Sequence, residues 1–149
     1  MTTSLLRDCQ KANATLQAFV VMTHHIHLIV RPSEDQTISQ LMQTIKANSE
    51  RRLSILLTAP ETQQLSMQSG LNKHKFWMRG FRANPIFTHE VFLQKLTYIH
   101  LNPIRSELAE APEDYQWSSA HSYHRGFMDA EGHIKFKPAI EFYEKMLGY

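Results

Sequence analysis

The chain has 149 residues, of which 42% are hydrophobic and 20% charged, and its formal net charge is only +2. Such a length and composition predict one globular domain over residues 1–149, with residues 125–149 as its C-terminal extension. The single cysteine excludes an intrachain disulfide and a cysteine-based zinc cluster. No apolar run is long enough to span a bilayer, and no signal-peptide pattern is present, so we expect a cytoplasmic protein.

The first part of the chain predicts a helix followed by a β-hairpin. Residues 4–15 have the spacing of a short helix, and residues 16–22 are apolar enough for an interior strand. After a turn at Thr23-His24, residues 25–31 return as the second strand. Side chains alternate along a strand, so we expect the aliphatic residues of this second strand, Ile26, Leu28 and Val30, to face the core.

The same alternation places His25 and His27 together on the opposite face. Neutral imidazole is a common ligand of divalent metals, and two imidazoles on one face amount to half of a metal site. A lone His-x-His is weakly specific for a metal site. His24 lies in the turn and is not expected to be a ligand.

A longer helix follows, and then a segment without acidic residues. Thr37 and Gln40 form a capping box, and helical spacing of apolar residues continues to Pro60. Residues 61–72 predict a loop. No Asp or Glu occurs from residue 62 to residue 89, where cations alternate with Phe76, Trp77 and Phe81. The cations we assign to DNA binding here are Lys73, Lys75, Arg79 and Arg82. The alternative is that the aromatic residues of a strand over 75–81 belong to the core.

Thr88 predicts the start of another helix, with Phe92, Leu96 and Ile99 as its buried stripe. Tyr98 and Asn102 are four residues apart and share a helical face. Pro103 predicts that the helix ends or bends there. From spacing alone, a half-buried aromatic residue and a helix C-cap are open alternatives for Tyr98 and Asn102.

The last part of the chain predicts three further elements. Residues 113–123 favour a helix that contains Trp117, residues 133–137 a strand, and residues 139–147 a final helix.

Four motifs, at residues 25–27, 76–81, 98–105 and 112–119, occur in an order that resembles the REP-associated tyrosine transposases. These are a branch of the single-tyrosine HUH transposases, which are related to insertion-sequence elements. The run Tyr-Ile-His-x-Asn-Pro, with Pro-Glu-Asp-Tyr downstream, is the most specific of these motifs. The resemblance covers residues 16–123.

The resemblance implies a role for each matching residue. His25 and His27 would bind a divalent metal, Mg²⁺ or Mn²⁺, with Asn102 as the third ligand. Tyr98 would attack a phosphodiester of single-stranded or hairpin DNA, giving a 5′-phosphotyrosine and a free 3′-hydroxyl, and reversal would rejoin strands. The implied partners are palindromic, hairpin-forming repeats, and Arg105 joins the DNA-binding cations.

The resemblance also implies an α+β fold of the ferredoxin-like HUH endonuclease type, an antiparallel sheet with helices packed on one face. Related proteins begin with a strand that lies inside the sheet, whereas this sequence starts at the first helix. We expect either an incomplete sheet or a replacement, supplied by residues 133–137 or by a second copy in a homodimer.

Two alternative functions stay open at this point. A catalytically impaired module could bind single-stranded or hairpin nucleic acid through the cations around Arg79, together with Lys46, Arg51 and Arg52. A metal-dependent hydrolase acting through activated water would need no tyrosine.

Overall fold

A computed structural model of the chain describes residues 2–58 and 76–124. These residues form two compact units, one of residues 3–14, 32–58 and 76–84, the other of residues 15–31 and 85–124. Their elements are α1 (Thr2–Lys11), β1 (Thr15–Val21), β2 (Ile26–Arg31), α2 (Ile38–Thr58), α3 (His89–Arg105), a 3₁₀ turn (Pro112–Asp114) and α4 (Ala120–His124). The predictions over residues 61–72, 133–137 and 139–147 lie outside the described residues.

The two helices of the first unit are joined by an ion pair whose carboxylate is buried. Asp8 on α1 is only 2% exposed, and its carboxylate accepts hydrogen bonds from the Arg52 guanidinium and, at 3.1 Å, from the Asn48 amide. A buried carboxylate is tolerated only when it is paired in this way. Arg52 is therefore a structural residue, not a free cation.

The expected capping box begins α2. The Thr37 backbone N–H donates to Gln40 Oε1 at 2.8 Å, and the Gln40 N–H donates to Thr37 Oγ1 at 3.2 Å. The predicted apolar stripe is buried at Leu41 and Ile45. Toward the end of the helix the predicted stripe is no longer buried, since Leu56 is 59% exposed.

The predicted hairpin is confirmed, but both of its faces are covered, not only the face of Ile26, Leu28 and Val30. β1 and β2 pair antiparallel with Val20 opposite His27 and Ala18 opposite Ile29, so these four side chains share a face. Ala18, Val20 and Ile29 belong to the core of the second unit. The two histidines therefore project from a core-facing side of the hairpin. Ile26, Leu28 and Val30 point to the opposite side and are half-buried there, beside Phe19, which is 2% exposed and lies opposite Leu28.

Helix α3 packs on this core-facing side of the hairpin. Its predicted stripe of Phe92, Leu96 and Ile99 is buried in one cluster with the hairpin residues. Thr88 caps the helix as expected, since its hydroxyl accepts the Val91 N–H at 3.3 Å. These contacts fix the rotation of α3 and hence the direction of its other side chains.

Helix α3 does not end at Pro103, because it continues to Arg105. Its end is a Schellman arrangement, in which Leu108 N–H donates to Pro103 O at 2.8 Å and Glu107 N–H to Ile104 O at 3.0 Å. Pro103 fits because its missing N–H deletes only one bond of the last turns. Glu107 takes the left-handed position, with φ at 56°.

Two further element predictions are wrong. Residues 76–81 form no strand, since their backbone groups bond to side chains of α2. Residues 113–123 do not form one helix either. The 3₁₀ turn is followed by a short irregular segment, 117–119, that bonds to the edge of β1 away from β2, and only then by α4.

The described part of the chain confirms an α+β fold built on a two-stranded antiparallel sheet. None of the described helices is both long and apolar enough to cross a membrane.

The left-handed conformation at Glu107 predicts that Glu107→Gly stabilises the protein. A non-glycine residue at positive φ carries about 1 kcal/mol of strain, which glycine relieves. We expect the free energy of unfolding in urea to rise by up to about 1 kcal/mol. Glu107→Ala removes the same carboxylate without relieving the backbone, and an equal gain in that variant would refute the explanation.

Candidate active site

The paired histidines stand where the hairpin turn passes into β2. Their rings are 4.7 Å apart between centroids and meet edge to face. His25 is exposed and His27 half-buried, so the pair lies at the border between core and solvent. The expectation that the two imidazoles project from one face agrees with this geometry.

His27 has an unusual electrostatic environment. Burial, and secondarily the neighbouring His25, lower the pKa of His27 below its ordinary value. The ring is therefore neutral at neutral pH, as a metal ligand must be. Its Nε2 atom is buried and has no hydrogen-bond partner within the described residues. Buried polar atoms are nearly always satisfied, so an unpaired imidazole nitrogen is a chemical signal in itself.

Tyr98 meets the histidine pair from α3. Its ring lies edge to face with the His27 imidazole, with centroids 5.5 Å apart. The preceding and following stripe residues of α3 are buried, yet Tyr98 is 45% exposed. The phenol thus combines a fixed ring with an accessible surface, as a nucleophile for a large substrate requires.

Asn102 lies one turn further along α3 and is nearly buried, at 9% exposure. Its amide nitrogen donates to the Tyr98 backbone oxygen at 2.8 Å, which uses the donor side of the amide. The oxygen is then the group that could ligate a cation. The C-cap alternative for Asn102 is excluded because Ser106 caps the helix.

Arg105 adds a positive charge to this cluster. Its guanidinium carbon lies 5.4 Å from the Tyr98 ring centroid, within the range of a cation–π contact. Arg105 is exposed and occupies the last turn of α3, where a cation also favours the helix dipole. A bound phosphate near Tyr98 would meet this charge.

His25 and His27 would hold a divalent cation only together with a third ligand, the amide oxygen of Asn102. No group of three or more His, Cys, Asp or Glu side chains that could hold a metal occurs among residues 2–58 and 76–124. Two imidazoles and the Asn102 oxygen would leave positions for water or phosphate oxygens, which suits Mg²⁺ or Mn²⁺ better than a closed zinc site. The unpaired His27 Nε2 supports this fit.

The other predicted DNA-binding residues belong to the first unit or are not described. Arg79 and Arg82 are exposed, and the same loop exposes Met78 and Phe81. Lys73 and Lys75 lie outside the described residues. None of the three aromatic residues belongs to the core, since Phe76 and Phe81 are exposed and Trp77 is only partly covered.

Lys46 holds this loop to α2 and is not available as a free cation. Its ammonium donates to the backbone oxygens of Met78, at 3.0 Å, and Gly80, and it lies 5.9 Å from the Trp77 ring centroid. The Trp77 indole N–H donates to Ser49 Oγ at 2.8 Å. Lys46 and Arg52 were expected to contribute to a nucleic-acid-binding surface, but both are engaged in contacts within the first unit. Arg51, the third cation of that set, is exposed.

Several residues to which the sequence pattern assigned no role close the outer edge of β1. Tyr115 and Tyr123 hydroxyls donate to Val21 O and Gln17 O, and the Ser119 N–H donates to Phe19 O at 2.9 Å. Tyr115 and Ser119 belong to the motif at residues 112–119. The strand predicted over residues 133–137 lies outside the described residues, and the expected homodimer stays a prediction.

Comparison with known proteins agrees with the geometry. The family model described as "Transposase IS200 like" matches residues 2–102. No curated protein matches the chain. The solved structure of a REP-associated tyrosine transposase bound to a REP hairpin is similar, with a TM-score of 0.60, 19% sequence identity, and coverage of 86% of this chain and 68% of that one. The chain has the fold of that protein, and it belongs to the IS200-like transposase family.

Proposed function

We propose that this protein nicks and rejoins single-stranded DNA at hairpin-forming repeats, through a covalent 5′-phosphotyrosine on Tyr98. The observation that carries the proposal is the contact between Tyr98 and the unpaired, neutral His27 beside His25. Family membership supports a transposase, and the similar solved structure holds a REP hairpin. Whether the protein is a mobile transposase or a domesticated relative does not affect this chemistry.

The reaction is a transesterification. The Tyr98 oxygen forms a bond to phosphorus as the bond from phosphorus to the 3′-oxygen breaks, the phenol loses its proton, and the leaving oxygen becomes a 3′-hydroxyl. His25, His27 and the Asn102 oxygen would hold the divalent metal, which would offset the negative charge of the phosphate. Arg105 would contact the same phosphate from the Tyr98 side.

The loop of the first unit that carries Arg79 and Arg82 would also bind DNA. Both side chains are exposed, and the neighbouring Met78 and Phe81 offer apolar surface on which unpaired bases can stack. The docking of the loop on α2 by Lys46 would fix these groups before DNA arrives. Lys73 and Lys75 would add charge to the same stretch of sequence.

Tyr98→Phe should abolish the covalent adduct and leave DNA binding almost unchanged, because only the attacking oxygen is removed. The measurement is incubation of a labelled single-stranded hairpin with the protein, with and without Mn²⁺, followed by a denaturing gel. The dissociation constant of the hairpin serves as the control. Adducts in the Phe variant would exclude Tyr98 as nucleophile, and cleavage without adducts would favour the hydrolase.

His25→Ala and His27→Ala should each lower the Mn²⁺-dependent cleavage rate on the order of a hundredfold, since the metal loses one of two imidazoles. His24→Ala is the matched control, because His24 is the exposed neighbour in the turn. The same variants should lose Mn²⁺ affinity in the absence of DNA. Equal effects of all three substitutions would contradict the assignment.

Arg79→Ala and Arg82→Ala should weaken hairpin binding and reduce the slope of log affinity against log salt by about 0.7 each, the value for a contact to a single strand. Arg7→Ala removes an exposed cation of α1 and is expected to change neither quantity. Salt-dependent binding by a wild-type protein that never cleaves, with any metal, would instead identify the binding module.

A further inference from the structure

One serine joins β1 to the helix that carries Tyr98. Ser119 is fully buried, at 0% exposure. Its hydroxyl accepts the Phe19 N–H at 3.0 Å and lies 2.9 Å from Nε2 of His100 on α3. Its own N–H donates to Phe19 O. Ser119 therefore bonds simultaneously to the strand backbone and to a helix side chain.

On the β1 side, the residue bonded to Ser119 is the direct neighbour of the residue that pairs with His27. Phe19 bonds outward to Ser119, and its neighbour Val20 pairs on the other edge with His27 of β2. The hydrogen bonds of the sheet make β1 and β2 one rigid support. A displacement of Ser119 relative to His100 is thus a displacement of α3 relative to His27.

On the α3 side, the contact between His100 and Ser119 restricts rotation of the helix about its axis. His100 follows Tyr98 by two residues, which is about 200° around the helix axis. The apolar stripe of α3 packs on the hairpin, but hydrophobic contacts are non-directional and allow small rotations and slides. A hydrogen bond is directional and weakens steeply when its angle changes, so the His100–Ser119 contact restricts both motions.

We propose that the hydrogen bond between His100 and Ser119 is a positioning contact that sets the distance between the Tyr98 nucleophile and His27. The role rests on the proposed function, because it concerns the geometry of that reaction. Neither residue touches the reacting atoms. His100 also packs edge to face on Tyr123, with centroids 5.0 Å apart, and Tyr123 bonds to Gln17 O of the same strand.

The test compares His100→Met, which fills similar space without the hydrogen bond, with His100→Gln, whose amide can still reach the Ser119 hydroxyl. We expect His100→Met to lower the single-turnover cleavage rate between about tenfold and a hundredfold, with the hairpin dissociation constant unchanged. His100→Gln should restore most of the rate. Assays run well below the unfolding temperature of each variant separate this effect from lost stability.

A second readout does not depend on cleavage. The His27 Hε1 resonance of histidine-labelled protein reports the ring current of Tyr98, and Tyr98→Leu marks its position when the contact is lost. Ser119→Ala and His100→Met should shift the resonance toward that position. Ser122→Ala is the matched control, because its hydroxyl contacts only His121 in the described chain.

The outcomes separate the two proposals. If wild-type protein binds the hairpin and never cleaves it, the proposed function fails, and the His27 resonance still tests the positioning contact. If His100→Met and Ser119→Ala match Ser122→Ala in resonance and rate, the positioning role is overturned. Should Ser119→Ala not fold, the two His100 variants decide, since they leave the Ser119 bonds to Phe19 in place.

Discussion

The packing of α3 on one face of the hairpin is the constraint on which the candidate site depends. Phe92, Leu96 and Ile99 enter the core beside Ala18, Val20 and Ile29, and this choice of face also decides which strand residues meet the helix. His27 lies on that face because it pairs with Val20. With α3 packed on that face, the Tyr98 side chain lies at the margin of the core, in contact with the His27 imidazole.

The edge of β1 away from β2 is covered within the described residues without a further regular strand. Its backbone groups from Gln17 to Val21 are bonded by side-chain hydroxyls and by the short segment 117–119. Unpaired edges attract other chains, and a mixed edge of hydroxyls and backbone removes that hazard with few residues. Because the same residues also reach α3, protection of the edge and orientation of the helix are coupled.

Local signals made part of this fold predictable. The capping box at Thr37 and the cap at Thr88 involve residues only three apart, and the hairpin depends on one turn. The burial of the histidine face was not predicted, because alternation says which residues share a face, whereas only the packing of a distant helix shows that this second face is covered too. The segment after Pro112 was predicted wrongly because its partners on β1 are about 100 residues away in sequence.

The candidate site residues, like the elements of the fold, were predictable from sequence only where local periodicity defines them. The pairing of His25 with His27 and of Tyr98 with Asn102 follows from strand and helix periodicity, whereas the meeting of the two pairs is a tertiary event that entered only through resemblance. The free cations could not be separated from structural ones by sequence. Lys46 and Arg52 resemble surface charges in the sequence, but one holds a loop through backbone carbonyls and the other neutralises a buried carboxylate.

The exposure of the proposed nucleophile is chemically consistent with its substrate. A DNA strand cannot enter a closed pocket, so a tyrosine that attacks it must lie at the surface, where orientation is usually lost to side-chain motion. Here the contact with His27 and the guanidinium of Arg105 hold the ring from two sides, while 45% of the residue stays accessible. The rigidity of the site therefore comes from its neighbours rather than from burial. For that reason, we expect the residues behind α3 to influence the reaction as strongly as some of those beside it.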